Sequence, residues 1–388
     1  MEKKWNAFFR CRTSPLLRFA LLTAVLICTA SGISGQAQAK AVKPGDEIRI
    51  GLTLPETLEN GAFRSLNANL DCLSEELPVT FLYSGERNSD TVETVEALIR
   101  QGADGIMISR MEEKELPVIC GICEEAQVFW GLFLWDILDD DIRAFCEASE
   151  YYAGNTCEDE KEAGRLLLTK AYEKGLRRLA LISESEWHAT CRKRETGILA
   201  ASAELPGISV LNIVRDLADR EDAQIVTENL IQAYPEMDGI LMVGSIVPEA
   251  AAGIQDGIRS LQAEGRVSLL TIDFSDQLAI HLEEGILKGS YGLPVLAVDP
   301  FYLSLILINR IYGTPVEKTH TRCCIRGIFV DSPESAQALE KRIENDPLIY
   351  YQKEELHRFF KWENPELDGQ RLQELSDRFQ ASLSEEGS

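Results

Sequence analysis

Residue types that carry catalysis or metal binding are scarce in this sequence. Only four histidines are present in 388 residues, they occur singly, and the H-E-x-x-H spacing of a helical zinc site is absent. There is no G-x-G-x-x-G or P-loop sequence to predict a nucleotide site, and no Ser-His-Asp order or nucleophile elbow. We therefore expect no metal, no cofactor and no enzymatic activity.

Positive charge is also in short supply. The chain has 39 Lys and Arg against 63 Asp and Glu, which gives a formal net charge of −24. An acidic surface is repelled by nucleic acids and by anionic membranes, so we expect no nucleic acid partner. Beyond the first 39 residues, no apolar run reaches the roughly 20 residues that a membrane-spanning helix needs.

The first 39 residues have the plan of a secretory signal peptide. Five basic residues accompany the apolar run Leu16–Ile27, and Ala37-Gln38-Ala39 is a small-residue cleavage site. Alternatives are an uncleaved anchor, for which the run is short, and lipidation at Cys28, which a bulky residue precedes. Removing five basic residues and one acid would take the net charge to −28. We expect export, to the periplasm or the outer face of the cytoplasmic membrane.

Eight cysteines follow the leader, and in an exported chain they could form disulfides whose pairing the sequence does not give. They are Cys72, Cys120, Cys123, Cys146, Cys157, Cys191, Cys323 and Cys324. Cys120 and Cys123 have the C-x-x-C spacing of redox and metal sites. They lie inside a helix predicted from Pro117 to Ala126, however, so we interpret them as buried or disulfide-bonded residues of the core.

Alternating strands and helices predict an α/β fold with two doubly wound parallel-sheet lobes, since near-continuous apolar strands are typical of sheets covered on both faces. The first lobe has predicted strands at Ile48–Leu54, Pro78–Tyr83, Gly105–Ile108 and Val128–Leu134. The second has them at Leu179–Ile182, Ile208–Val214, Gly239–Val243, Val267–Ile272 and Ser290–Leu293.

The stretch Tyr151–Ile198 is the most informative part of the chain. It reads as strand, helix, strand, polar loop and helix, and Ser183–Arg194 falls at the carboxyl end of a strand, where open parallel sheets bind ligands. Its motifs are Tyr152-Ala153-Gly154-Asn155, Glu162-Ala163-Gly164 and Arg192-Lys193-Arg194-Glu195-Thr196-Gly197. Downstream come Tyr234-Pro235-Glu236-Met237-Asp238-Gly239 and Thr271-Ile272-Asp273.

In order and spacing, these motifs resemble the type 1 periplasmic sugar-binding proteins of the ribose-binding class, over roughly residues 46–315. The resemblance implies two lobes joined by a three-segment hinge. An N-terminal lobe would comprise residues 40–153 and 294–323, and a C-terminal lobe residues 154–293. The crossings would fall near Ala153–Thr156, Leu293–Pro294 and Cys323–Gly327.

The resemblance also implies the ligand contacts. Arg194 falls on the arginine that binds ligand in the resembled family, and its guanidinium offers five donors in a fixed fork; an ordinary exposed helix arginine is the alternative. Asp273 falls on the aspartate that accepts from sugar hydroxyls, with a helix N-cap as its alternative. Asp136 matches a third position only if its strand is lengthened. We expect Arg194→Ala to abolish binding with little change in thermal stability.

Four further candidates lie near the implied cleft. Trp187 is in the polar loop, and Phe63 follows the first strand, where core packing is an equal interpretation. Arg110 follows the third strand, and Ser245 follows the strand that ends at Val243.

Several positions depart from the resembled pattern. Gly244-Ser245 replaces Asn-Asp, Gly292 replaces a glutamine, and Pro55-Glu56-Thr57 lacks the Asn-Pro-aromatic sequence. With these hydroxyl partners missing, the ligand need not be a pentose or hexose. We predict a binding protein that captures a small polar ligand of the carbohydrate kind for the membrane permease of an ABC importer.

Two alternatives share the fold. One is a sensor subunit that signals to a membrane histidine kinase, and the missing hydroxyl partners are compatible with it. The other is a sugar-responsive repressor, against which the leader and the lack of an N-terminal helix-turn-helix count.

After Gly327 the chain no longer resembles the family. Asp331-Ser332-Pro333-Glu334 predicts a helix start, and a second helix is predicted over Asp368–Leu383. We interpret residues 324–388 as the third crossing and a helical extension. The extension either packs over one lobe or provides a docking surface for a membrane partner.

Overall fold

The computed structural model describes residues 42–54, 61–84, 90–109, 112–134, 136–186, 188–244, 249–275, 277–293, 298–344 and 347–383, without the side chains of residues 61–63, 343 and 344. The predicted signal peptide and the motif Pro55-Glu56-Thr57 lie outside these ranges. Within them, no helix has the length and apolar character required to cross a bilayer.

The described ranges contain twelve strands and thirteen α-helices. The strands are β1 (Ile48–Leu52), β2 (Val79–Tyr83), β3 (Gly105–Ile108), β4 (Phe129–Phe133), β5 (Tyr152–Glu158), β6 (Arg178–Ser183), β7 (Ser209–Arg215), β8 (Gly239–Met242), β9 (Ser268–Ile272), β10 (Leu287–Gly292), β11 (Thr321–Ile325) and β12 (Ile328–Val330). The helices are α1 (Gly61–Glu76), α2 (Thr91–Arg100), α3 (Leu116–Ala126), α4 (Asp140–Glu147), α5 (Glu160–Glu173), α6 (Ala189–Glu204), α7 (Arg220–Ala233), α8 (Ala250–Ser260), α9 (Leu278–Glu283), α10 (Val298–Ile311), α11 (Pro333–Glu344), α12 (Lys353–Leu356) and α13 (Gly369–Ser382).

The first sheet has the strand order β11-β5-β4-β3-β1-β2, and all its pairings are parallel. Its central strands β3 and β4 are apolar along their length, as expected for strands covered on both faces. Helix α10 is buried almost completely, which explains why its sequence is apolar on every side. The first of the two predicted parallel sheets is confirmed.

The second sheet has the order β12-β10-β9-β8-β6-β7. Its strands are parallel except for β12, which runs antiparallel to β10. Strand β12 comes from the chain after the third crossing, so the sequence beyond the resembled region completes this sheet. The predicted fold class, two parallel α/β lobes, is confirmed, and β12 is an addition that was not predicted.

Two of the crossings between the sheets lie within the described residues. Strand β5 stays in the first sheet through Glu158, paired with β4 and β11, and α5 begins at Glu160. The chain therefore leaves the first sheet after Glu158, later than the expected Ala153–Thr156. The third crossing joins Ile325 to Ile328, and its two linking residues, Arg326 and Gly327, fall within the expected Cys323–Gly327.

The extension after β12 contacts both lobes. The Glu340 carboxylate on α11 accepts from the backbone N–H of Ala279 in α9, 3.1 Å away. Residues 347–383 return to the first lobe, where Asn69 donates to the Leu348 carbonyl at 2.8 Å and accepts from the Tyr350 N–H at 2.7 Å. The extension thus packs on both lobes, and its alternative role as a docking surface for a membrane partner stays a prediction.

An aromatic cluster joins the extension to helix α10. Tyr302 and Tyr351 share a hydrogen bond between hydroxyls 2.5 Å apart, and Phe301 and Phe359 pack around them. Buried aromatic pairs of this kind contribute beyond the area they bury. At the end of the chain, the side-chain amide of Gln373 exchanges two hydrogen bonds with the backbone of Cys324 in β11.

The eight cysteines after the predicted signal peptide are all described, and all are free thiols. Cys120 and Cys123 are buried on one face of α3, in the core of the first lobe, as predicted for structural residues.

Candidate functional site

A cleft of about 260 Å³ opens between the strand ends of the two sheets. The first lobe contributes Asp136, after β4, and Cys157, in β5. The second contributes Lys193 and Arg194, from α6, and Asp273, after β9. Parallel sheets bind ligands at this position, because the loops after the strands converge there.

Two glycines place Arg194 at the cleft. A Cβ on Gly164 of α5 would lie 1.9 Å from the carbonyl oxygen of Arg194, and one on Gly197 of α6 would lie 1.9 Å from that of Lys161. The two helices therefore pack backbone against backbone, which a side chain at either position would prevent. This close approach brings the Arg194 side chain beside Glu160 in the first turn of α5.

Arg194 is enclosed by carboxylates and is only 5% exposed. Its Nε donates to Glu160 at 2.5 Å, and its Nη1 donates to Asp273 and to the Val243 carbonyl, both at 2.9 Å. Its Nη2 lies 3.9 Å from Glu158. Burial by itself lowers the pKa of the guanidinium, but the carboxylates of Asp273 and Glu160 raise it by more than burial lowers it. Arg194 therefore stays charged. All five of its donors have partners within the protein, and a direct contact of Arg194 with ligand stays a prediction.

Asp273 is the exposed member of this network. Its backbone has a φ of 73°, a left-handed conformation that aspartate tolerates better than most residues, and its side chain is 60% exposed. Its N–H donates to the Tyr291 carbonyl at 2.7 Å, which ties it to the neighbouring strand. The helix that follows begins at Leu278, with Gln277 at its N-cap, so Asp273 does not have the capping role considered as its alternative. Its carboxylate oxygens are available to a group in the cleft.

Asp136 faces the cleft from the first lobe. Its Oδ2 lies 3.0 Å from Nη2 of Arg322 in β11 and 3.4 Å from Nζ of Lys193. The second of these ion pairs connects the two lobes. Asp136 lines the same cleft as Arg194 and Asp273, so the structure brings these three candidates together.

Glu158 and Glu160 were missed by sequence reasoning. They flank Asp159 where the chain leaves β5, and both line the cleft. Burial raises the pKa of Glu158 well above its usual range and Glu160 adds to this effect, while Arg194 opposes it. The acidic triplet at the end of a strand was the available signal.

The position of the missing glutamine is filled by an aromatic ring. The Phe274 ring lies 3.2 Å from the position of a Cβ on Gly292, so a side chain there would displace the ring. Next to it, the Tyr291 hydroxyl accepts from the N–H of Gly327 in the third crossing at 2.7 Å. This end of the cleft is therefore closed by packing, and the amide of the resembled family has no equivalent at Gly292.

The remaining candidates are not placed. Trp187, Arg110 and Ser245 lie outside the described residues, and Phe63 belongs to α1, but its side chain is not described. Their predicted contacts with a ligand stay predictions.

Chemically, the described lining presents carboxylate acceptors from both lobes. Asp136 and Asp273 face the cleft from opposite sides, and Glu158 lies between them at the crossing. The Asp136 and Asp273 carboxylates can accept hydrogen bonds from hydroxyl or ammonium groups, with strong bonds because the acceptor is charged. The buried Arg194 orients Asp273 by two hydrogen bonds.

The chain is similar in sequence to one protein family and in fold to many solved structures. Residues 50–294 match the family described as periplasmic binding protein domain. No curated protein sequence matches the chain.

Many solved structures are similar. A periplasmic solute-binding protein of an ABC transporter from Actinobacillus succinogenes, with bound D-allose, is 18% identical, with a TM-score of 0.56 over 75% of this chain and 100% of that one. A solute-binding protein from Bacillus halodurans with bound myo-inositol is 16% identical, with a TM-score of 0.56 over 76% and 98%. An arabinose-binding protein from Geobacillus stearothermophilus is 15% identical, with a TM-score of 0.58 over 76% and 99%. At these identities the similarity shows a shared fold.

Proposed function

Because this chain belongs to the periplasmic binding protein domain family, we propose that it is an exported receptor that captures a small polar, sugar-like ligand between its lobes for an ABC importer. The single observation that carries the proposal is the position of Asp136 and Asp273, on opposite lobes but in one cleft. Closure of the lobes would bring both carboxylates onto the same ligand.

The ligand contacts are assigned to the exposed carboxylates. Asp273 accepts from ligand hydroxyls on the second-lobe side, held in place by Arg194. Asp136 accepts on the first-lobe side and is positioned by Arg322. In this scheme Arg194 acts as a positioning residue, because its own donors already have partners. The bound sugars of the similar structures support a polyhydroxylated ligand.

A sensor subunit that signals to a membrane histidine kinase is the second candidate. The helical extension favours it, because this part of the chain contacts both lobes through Glu340 and Asn69 and is positioned to report their relative movement. The filled space beside Gly292 also favours it, because a glutamine contact of the sugar-binding resemblance is lost.

A thermal-shift screen of the purified chain against sugars, polyols, amines and small metabolites tests binding. A ligand at 100 times its dissociation constant should stabilise the fold by roughly 2.7 kcal/mol. Asp273→Asn should remove the shift, and Asp71→Asn, an exposed substitution on α1, should retain it. A hit that Asp273→Asn and Asp136→Asn leave unchanged would place the ligand elsewhere, and a hit that the protein converts would identify an enzyme.

The two candidate roles differ in what the bound ligand stimulates. With the ligand identified, stimulation of ATP hydrolysis by a permease reconstituted in vesicles supports the importer. Stimulation of kinase autophosphorylation supports the sensor.

A further inference from the structure

Two thiols meet where the lobes join. Cys157 is the penultimate residue of β5, Cys324 is the penultimate residue of β11, and the two are direct partners in the parallel register of these strands. Their Sγ atoms are 4.0 Å apart. Cys157 lines the cleft, but neither thiol is assigned a ligand contact in the function proposed above.

The backbone at this pair is suitable for a disulfide. Neighbouring strands lie about 4.7 to 4.9 Å apart, within the roughly 4.4 to 6.8 Å separation of Cα atoms that disulfides have. Register partners also project their side chains to the same face of the sheet. Bond formation therefore needs a change of side-chain rotamer and little movement of the strands.

The pair lies beside two of the segments that connect the lobes. One residue after Cys157 the chain leaves β5 for the second lobe, and soon after Cys324 it leaves β11 for β12. Cys157 also lines the cleft. A covalent bond here would join the first and third crossings, so the two segments could no longer move independently.

The two thiols differ in reactivity. Cys324 is half-buried, and its hydrogen bond with Cys157 lowers the pKa of the Cys324 thiol, an effect to which Arg322 adds against the cost of burial. The same hydrogen bond, together with burial, raises the pKa of the Cys157 thiol. Cys324 is therefore the accessible nucleophile and Cys157 the resolving thiol.

We propose that Cys157 and Cys324 are a dithiol–disulfide pair whose oxidation joins two hinge segments and restricts rotation of the lobes. The oxidant is an external disulfide, from a small molecule or a thiol–disulfide oxidoreductase. The Cys324 thiolate attacks one of its sulfurs, the external S–S bond breaks, and one thiolate leaves. Cys157 then loses its proton to that thiolate and attacks Sγ of Cys324, the mixed disulfide bond breaks, and the second external sulfur leaves as a thiolate. Two cysteine thiols are oxidised and one external disulfide is reduced.

The other cysteines provide comparisons. Cys323, next in sequence to Cys324, is fully buried. Cys120 and Cys146 also share a thiol hydrogen bond, but both are buried in the core of the first lobe, where an external disulfide does not reach them. Cys72 on α1 is half-buried like Cys324 and lies on a helix of the first lobe, away from the two crossings. Selective formation of the proposed bond is therefore expected.

Peptide mapping tests the pair. The purified chain is treated with oxidised glutathione, free thiols are alkylated, and the digest is analysed by mass spectrometry without reduction. We expect a linked peptide that contains Cys157 and Cys324 in the wild type and in the control Cys72→Ser, and its loss in Cys157→Ser and Cys324→Ser. Two alkylated thiols at these positions, or a dominant linkage of Cys324 to another cysteine, would overturn the proposal.

Two measurements test the consequence of the bond. The oxidised chain should unfold several degrees higher than the reduced one, because the bond closes a loop of 167 residues. Backbone amide exchange at residues 158–160 and 325–328 should be slower after oxidation and should recover on reduction. If the linked peptide forms and exchange is unchanged, the hinge restraint is wrong. Only the effect of the bond on lobe closure rests on the proposed function. Because peptide mapping needs no ligand, it tests the disulfide even if the proposed receptor function is wrong.

Discussion

The Asp136 carboxylate lies 3.4 Å from the Lys193 ammonium, so an ion pair spans the cleft and connects the first lobe to the second. Its partners are partly exposed, with side chains that retain 21% and 32% of their accessibility. An ion pair of this kind contributes roughly 0 to 1 kcal/mol to stability. It is therefore weak enough to be exchanged for contacts with a ligand when the lobes close.

Asp136→Asn is expected to separate binding from stability. Loss of a charged acceptor should weaken ligand affinity about 10- to 100-fold, since a hydrogen bond to a charged group contributes about 1.5 to 3 kcal/mol. The free energy of unfolding should change by less than about 1 kcal/mol. Calorimetry with a ligand from the screen measures the first quantity and urea denaturation the second, with Asp71→Asn as the control. Unchanged affinity would remove Asp136 from the site.

Arg194→Ala should destabilise the second lobe. The substitution leaves Glu160, Glu158 and Asp273 close together without their cation, and breaking a buried ion pair costs about 3 to 5 kcal/mol. The sequence alone predicted almost no change in thermal stability, and the enclosed position of the guanidinium reverses that prediction. Urea denaturation gives the unfolding free energy, and Arg192→Ala, an exposed neighbour on the same helix, should be nearly neutral. Equal effects of the two substitutions would contradict the network.

Gly197→Ala should separate helices α5 and α6. The new Cβ would meet the Lys161 carbonyl oxygen, and overpacking of this kind costs about 1 to 3 kcal/mol or more. The matched control is Gly121→Ala, also inside a helix, where the added Cβ meets nothing within 4 Å. That change should stabilise by up to about 1 kcal/mol through helix propensity. Thermal unfolding of both variants checks the opposite signs, and two stabilising substitutions would show that the helices tolerate separation.

Asp299 should make stability depend on pH. It is fully buried at the start of α10, where burial raises the pKa of its carboxyl from 3.8 to about 7. The backbone amides of Leu134 and Asp299 oppose this shift, although no hydrogen bond of normal geometry reaches either oxygen from the described residues. A raised pKa means that the folded state binds the proton more tightly. The stability it contributes is present below about pH 4 and is lost as pH rises through about 7.

Asp299→Asn removes this dependence. Relative to the wild type, the variant should gain stability as pH rises from 4 to 8, by at most about 4 kcal/mol at about 1.4 kcal/mol for each pH unit. Urea denaturation at several pH values gives the difference. A difference that stays constant over this range would show that Asp299 titrates normally.

Most of the fold could be predicted because each strand is indicated by a short apolar run in its own sequence. The apolar runs at Gly105–Ile108 and Gly239–Met242 indicate both the position and the length of two buried strands. In a parallel sheet, the carboxyl ends of all strands lie at the same edge, whatever the length of the connections between them. That rule brought Arg194 and Asp273 into one cleft from positions 79 residues apart. It could not show that Arg194 also binds Glu160, because that contact depends on the close packing of α5 and α6 at Gly164 and Gly197.

The features that the sequence did not predict depend on contacts between residues far apart in the chain. Glu158 became a cleft residue because β5 continues farther than its sequence suggests, supported by pairing with β11 more than 160 residues away. Strand β12 has only three residues, Ile328–Val330, and is a strand because β10 offers it an edge. The extension contacts both lobes through Asn69 and Glu340, polar side chains without a periodic pattern.

The amide of Gln373 also has a consequence for how molecules of this protein behave towards one another. Strand β11 is the outermost strand of its sheet, and an uncovered outermost strand is a template for pairing with another chain. By hydrogen bonding to both the N–H and the carbonyl of Cys324, the side chain of Gln373 takes the place of one residue of a further strand. A chain cut before α13 would lose this cover, so we expect it to self-associate along β11.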